Sequence, residues 1–338
     1  MKIGAHFKAE DLNTYLASVK KADEAGYERA WLIDSQILWQ EVYIYMTQGL
    51  AATGRITFGT AVTNTLTRHF SITASANATL ADIWPGRVIL GLGRGDSGVR
   101  TLGLKPVRTK DLEATIPLIR GLMAGEVVDV PGGSETHLRW AEGGRRVPIM
   151  MAATGPKNLR LAGRLADIVM LYVGTNADSV SWAIDKVRAG AEEAGRDSAT
   201  VEISLLCGMW VSDDQTEAWD ECRWAPAAAA NHITDALKYN AEHDMPDAMT
   251  RLVQARDKYD YFAGHLDSKA DHTEYLSGEL IDDFAIAGPA EKCLERIREL
   301  ADLGVGEISS AYLNGHYEQM ERVGREIIAA VDAPTAAH

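Results

Sequence analysis

The chain predicts an α/β fold whose parallel sheet closes as a (β/α)8 TIM barrel, with a helical insertion after strand seven. Three observations carry this. Short apolar, partly β-branched runs alternate with stretches of helical periodicity, the pattern of βαβ units. Eight such runs occur, with a helical stretch fitting most of the gaps between them. The 338 residues, 46% hydrophobic and 24% charged, are enough for one large α/β domain or two modest ones, and either buries a sizeable core.

In order, the expected strands are Lys2–Phe7, Arg29–Asp34, Ile56–Thr63, Arg87–Gly93, Pro148–Ala153, Ile168–Val173, Val201–Val211 and Glu307–Leu313. Between the first two, Asp11 to Ala22 has helical spacing and stops at Gly26, a left-handed cap position. Further helices are expected at Ile72–Ile83, Lys110–Met123, Pro156–Leu165, Ala177–Ala194, Pro289–Leu303 and Tyr317–Val331. One domain over 1–332 follows, with excursions at 126–146 and 216–280 and a loose tail at 333–338. The first excursion carries Pro131-Gly132-Gly133 and Gly143-Gly144 and reads as exposed, with a hairpin as one form. The second, holding Trp219, Trp224, His232, His243, Tyr259, Tyr261, Phe262 and His265, sits where barrels place their chemistry. It reads as a substrate-selecting lid, or else as a helical buttress or dimer surface.

Charge and composition exclude several classes. A formal net charge of −14, without a Lys/Arg block, argues against a nucleic-acid surface. Three scattered cysteines, Cys207, Cys222 and Cys293, outline neither a disulfide framework nor a metal cluster. The start Met1-Lys2-Ile3-Gly4 enters a strand, and no long apolar stretch follows, so a cytoplasmic location without membrane or nucleic-acid partners is expected.

The most informative segment is Leu90-Gly91-Leu92-Gly93-Arg94-Gly95-Asp96-Ser97, where a hydrophobic strand delivers three alternating glycines onto a carboxylate. Such glycines allow a tight turn and close approach to a flat ligand. A dinucleotide fingerprint fits poorly, because its sixth position is Ser97 and no helix visibly opens on the glycines. Asp34, at the exit of strand two, is an ionisable group at the barrel mouth. His6, ending strand one, suits either barrel packing or acid/base work, and Asp96 either lines the site or caps a helix. Ala153-Thr154-Gly155-Pro156-Lys157 brings a small-residue strand exit to a helix opening with proline, where free amides favour a phosphate.

Trp31-Leu32-Ile33-Asp34, Gly59 to Asn64 with Thr67-Arg68-His69, Gly91 to Asp96, Ala152 to Lys157, Leu161 to Asp167 and Ile286 to Pro289 together resemble the luciferase-like flavin and deazaflavin oxidoreductases. Their order and spacing are most similar to the branch containing methylenetetrahydromethanopterin reductase, which uses coenzyme F420. The resemblance implies a non-prolyl cis peptide at Ala61–Val62 behind the cofactor ring, with Thr63 and Asn64 near the ring, although Asn64 could simply make a turn. It implies cofactor contacts at Gly93, Asp96, Ala153, Thr154, Gly155 and Pro156, completed by Gly174 and Thr175 at the next strand exit. Asp34, Asp96 and His6 are the implied catalytic groups, and Ser35, Gln36 and Trp39 face substrate. Deazaflavin relatives commonly carry histidine after the first acid; here Ser35 follows Asp34, and serine is no proton donor near neutral pH.

The implied activity is hydride transfer between reduced F420 and an imine, carbonyl, activated alkene or electron-poor ring. A reduced-FMN monooxygenase fed by a separate reductase is the alternative, and a non-catalytic flavin-binding barrel stands behind both. A metal-dependent hydrolase would need denser ligands than His6, Asp34 and Asp96 provide. Formation of a homodimer or higher homo-oligomer is expected from the family.

Overall fold

The computed structural model describes residues 1–332 apart from 142, 145, 239–244 and 257. Twelve strands are β1 (Lys2–Phe7), β2 (Arg29–Leu32), β3 (Thr57–Thr60), β4 (Val88–Leu92), β5 (Val128–Asp129), β6 (Glu135–Thr136), β7 (Ile149–Ala153), β8 (Ile168–Leu171), β9 (Glu202–Leu206), β10 (Gly208–Val211), β11 (Ala285–Gly288) and β12 (Glu307–Tyr312). Eight of them close a barrel in the order β1-β12-β9-β8-β7-β4-β3-β2, and every paired neighbour is parallel. β5 and β6 form the small antiparallel hairpin of the 126–146 excursion.

Local sequence explains most elements. The helix Leu12–Ala25 ends on Gly26 at φ 99°, whose N–H returns to Ala22 O. The helix Pro156–Leu165 opens on proline, which lacks only a donor that the first turn leaves unused. The helix Val42–Ala52 has no counterpart among the expected helices: VYIYMTQGLAA is apolar nearly all round, so it shows no amphipathic period. A one-turn helix, Ser97–Arg100, does open directly behind the glycines, contrary to expectation.

The expected strand Val201–Val211 is two strands. β9 stays in the barrel up to Leu206, the buried Cys207 donates its N–H to Ser309 O, and β10 then leaves to pair in parallel with β11. Eleven residues exceed what this barrel wall can pair, and the apolar remainder is buried by a second partner. β11 was not among the expected strands. Between β10 and β11 lie the helices Gln215–Cys222, Trp224–Leu237 and Asp247–Ala255 and shorter turns, the helical insertion after the seventh barrel strand. His243 and the tail 333–338 lie outside the described residues.

The lumen is filled from below. Trp31, Ile89, Met150, Ile168 and Met170 pack together inside, with Ala61, Val62, Ala152 and Leu206 above them. At the amino-terminal end the fully buried Glu307 accepts from Arg29 Nη1 at 2.6 Å and from Trp31 Nε1 at 2.8 Å. Arg29 also reaches Glu202 at 2.9 Å. The lumen is a plug, so among the described residues of the barrel the space for a ligand lies at the carboxyl ends of the strands. No helix among the described residues is long and apolar enough to cross a membrane.

Candidate active site

A cavity of about 600 Å³ opens at the carboxyl ends of the barrel strands. Successive strand exits build it: Ile33 and Asp34 after β2, Ala61, Val62 and Asn64 after β3, Gly93 to Gly98 after β4, Ala153 to Gly155 after β7 and Tyr172 after β8. The insertion roofs it with Ala228, His232, Asp235, Ala236, His265 and Leu266. The Ala61–Val62 peptide is cis.

The glycines do a different job from the one their spacing implied. A Cβ on Gly91 would lie 1.7 Å from Thr60 O, and one on Gly93 would lie 2.6 Å from Val62 Cγ2. The space is taken by the exit of β3, not by a ligand. Thr63 N bonds Gly91 O and Gly93 N bonds Thr63 O, both at 3.0 Å, so β4 holds the Ala61–Thr63 segment against the cavity. Gly93 still lines the cavity on its other side.

Asp34 is buried, and its Oδ2 accepts from Thr63 Oγ1 at 2.5 Å. Arg68 Nη2 lies 3.2 Å from both carboxylate oxygens and 2.8 Å from Glu41. Burial pushes the Asp34 carboxyl above its usual range, with Arg68 and Thr63 opposing incompletely. Asp96 behaves oppositely. Burial would raise it as well, but His232, the Tyr261 hydroxyl, His265 and Arg100 together hold it below the usual carboxylate range. Its Oδ1 accepts from Tyr261 at 2.7 Å and from Arg100 Nε at 2.8 Å, while Oδ2 lies 3.8 Å from His232 Nε2. Arg100 also grips Asp235, tying the turn after β4 to the insertion helix Trp224–Leu237.

The other end of the cavity is cationic. Arg94, Arg108, Lys110 and Lys157 line it. The helix Pro156–Leu165 starts there on Gly155 without a side-chain cap, so its first-turn amides have no side-chain partner.

Of the residues the sequence singled out, Asp34, Asp96, Ala61, Val62, Asn64, Gly93, Ala153, Thr154 and Gly155 line this one cavity. Others do not. His6 is fully buried between β1 and β12, with Nε2 2.6 Å from Ser309 Oγ, and burial pushes its pKa down to about 3. Thr63 stands behind Asp34, and Pro156, the first residue of its helix, is not among the lining residues. Gly174 and Thr175 are taken up by the insertion: Thr175 N donates to Asp283 O at 2.7 Å, and its hydroxyl reaches Asp282 O at 3.1 Å. Ser35 is buried behind the wall. Gln36 Nε2 donates to Gly98 O at 2.8 Å, and the Trp39 ring packs 5.6 Å from His265. These two support the lining without joining it.

Sequence reasoning missed Arg100, Asp235, Arg108, Lys110 and Asn158. Only Arg100 carried a local signal, being four residues beyond Asp96 on one helical turn.

A barrel with its lumen plugged and one roofed cleft at the strand carboxyl ends belongs to the class of α/β barrels that bind and transform ligands at that face. The chain belongs to the luciferase-like monooxygenase family, whose model matches residues 2–307. It is 31% identical to a 5,10-methylenetetrahydromethanopterin reductase of Methanolobus tindarius, covering 97% of this chain and 100% of that one. It is 32% identical to an F420-dependent hydroxymycolic acid dehydrogenase of Mycobacterium tuberculosis over 64% of each. The solved coenzyme F420-dependent tetrahydromethanopterin reductase of Methanopyrus kandleri superposes with a TM-score of 0.78 at 22% identity, covering 98% of this chain and 99% of that one.

Proposed function

We propose that this protein is an oxidoreductase that uses reduced coenzyme F420 to deliver a hydride to a small organic substrate bearing an imine, carbonyl, activated alkene or electron-poor ring. The observation that carries it is one continuous cavity, cationic at one end and bearing two oppositely shifted carboxyls at the other. The residues fit a flat heterocycle with an anionic tail. Ile33, Ala61, Val62, Met170 and Leu206 give apolar walls, and Ala152, Ala153 and Gly155 leave room for a ring. Lys157, Arg108 and the uncapped amides after Gly155 suit the tail. The full-length similarity to F420-dependent reductases supports this choice of cofactor.

The bound deazaflavin supplies the hydride; the chain positions, excludes water and manages the proton. Thr63 donates to Asp34 Oδ2 and Arg68 is shared between both oxygens, so Oδ1, the less engaged of the two, is the oxygen on which a proton is held above the usual carboxylate range. Arg68 stabilises the carboxylate left when that proton departs. Asp96 stays ionised and orients polar hydrogens of the substrate. His232, Ala236 and Leu266 close over the cleft and shield it from water. His6 takes no part in this arrangement. The chain is further proposed to act as a homodimer, which sedimentation velocity tests.

Ser35 favours one second reading. Without an imidazole at that position, a reduced-FMN monooxygenase fed by a separate reductase accounts for the same cavity. Titrating the apo-protein with F420, FMN and reduced FMN separates the two. Tight binding of F420 alone supports the reductase, preference for reduced FMN supports the monooxygenase, and binding of none sinks both.

A further inference from the structure

His265 faces the cavity from the insertion, and beyond roofing it and helping to hold Asp96 low it has been given no role toward the substrate. Its Nδ1 lies 2.6 Å from the Tyr259 hydroxyl. That hydroxyl already accepts the Leu266 N–H at 3.4 Å, and the structure gives its proton no acceptor other than Nδ1 among the described residues. Tyr259 therefore donates, Nδ1 accepts, and the ring's proton sits on Nε2. A second feature points the same way. Leu266, directly after His265, holds φ at 61°, a left-handed conformation that disfavours a leucine by about 1–2 kcal/mol and is of the kind that clusters at functional sites. That turn places the Leu266 N–H on Tyr259 while His265 stays in the cavity wall. The rings of Trp39, at 5.6 Å, and Tyr261, at 5.1 Å, pack against the imidazole.

Resting on the reductase reading, we propose that His265 is a catalytic residue whose Nε2–H, fixed by Tyr259, hydrogen-bonds the acceptor heteroatom of the substrate's reducible bond. The substrate class narrows accordingly to a C=N or C=O group, or an alkene conjugated to one. A neutral imidazole N–H polarises such a bond as charge builds on its heteroatom. Burial keeps the ring neutral, pushing its pKa down to about 4 against the pull of Asp96, with His232, Lys8 and His272 reinforcing burial.

Full-length protein carrying nitrogen-labelled histidine and loaded with oxidised F420 tests this without turnover, with cofactor binding followed by absorbance in the same sample. The His265 signals, assigned by their loss in His265→Gln, are expected to show the Nε2–H tautomer, neutral until the pH nears the value of about 4. The Nε2 signal is expected to shift on adding cyclohexenone or pyrroline, probes for C=O and C=N. Tyr259→Phe, which removes the lock, is expected to mix the two tautomers. An Nδ1–H tautomer, or an imidazolium at neutral pH, overturns the proposal. So does an Nε2 signal that neither probe moves while F420 is bound. If F420 does not bind, the reductase reading itself fails and the inference falls with it.

Discussion

The Tyr261 hydroxyl donates to Asp96 Oδ1 at 2.7 Å although the two residues lie 165 positions apart. This bond helps hold the Asp96 carboxyl low, so in the unfolded chain the group binds its proton more tightly than in the fold. Asp96 then adds stability above the usual carboxylate range, and that stability is lost as pH falls through its depressed folded value. Tyr261→Phe is expected to cost about 1.5 kcal/mol at neutral pH. In acid, where Asp96 is neutral, the difference should shrink. Urea unfolding at both pH values checks it, and an unchanged difference in acid would show that the contact does not act through the charged carboxylate.

Asp34 has the opposite sign. Its raised carboxyl is stabilising only when protonated, so its charge costs stability as pH rises through the folded value. If its proton serves the reaction, the rate should fall over the same rise. Asp34→Asn keeps the Thr63 bond, so it should fold normally, flatten that limb and slow turnover by about 10²-fold or more. A profile unchanged in Asp34→Asn assigns the proton elsewhere.

The β4 glycines make a graded prediction. Gly91→Ala meets the Thr60 carbonyl, a backbone atom, whereas Gly93→Ala meets only the tip of Val62. Gly91→Ala should therefore be the more destabilising of the two. Gly93→Ala should cost about 1–3 kcal/mol, with Val62→Ala recovering about 1 kcal/mol of it in a double-mutant cycle. Strict additivity would contradict the contact.

At the far end of the barrel, Glu307→Ala strips Arg29 of its closest partner and orphans Trp31 Nε1. Breaking such a buried pair should cost about 3 kcal/mol in denaturant titrations. Because the pair lies at the opposite end from the cavity, cofactor affinity of the folded fraction should be unaltered.

Lys157 is exposed and lines the cationic end of the cavity. Lys157→Glu should weaken F420 binding about tenfold in low salt, with the gap narrowing as salt screens the tail. Thermal stability should move by less than about 0.5 kcal/mol. Equal F420 affinities at all salt concentrations would remove Lys157 from the tail site.

The sequence by itself determined the alternation of elements, the count of barrel strands, the cap at Gly26, the excursion at 126–146 and the strand-exit positions of Asp34 and Asp96. These follow from spacing and side-chain type over a few residues. It concealed the helix Val42–Ala52, whose uniform hydrophobicity erases the period, and the break at Cys207, which depends on β11 arriving from far along the chain. Only the tertiary structure decided that Gly174 and Thr175 serve the insertion, that Gly91 and Gly93 make room for Thr60 and Val62, that His265 enters the cavity and that Tyr261 reaches Asp96. It alone set Asp34 upward and Asp96 downward, because a carboxyl's proton affinity depends on burial and on charges that only chain closure brings near.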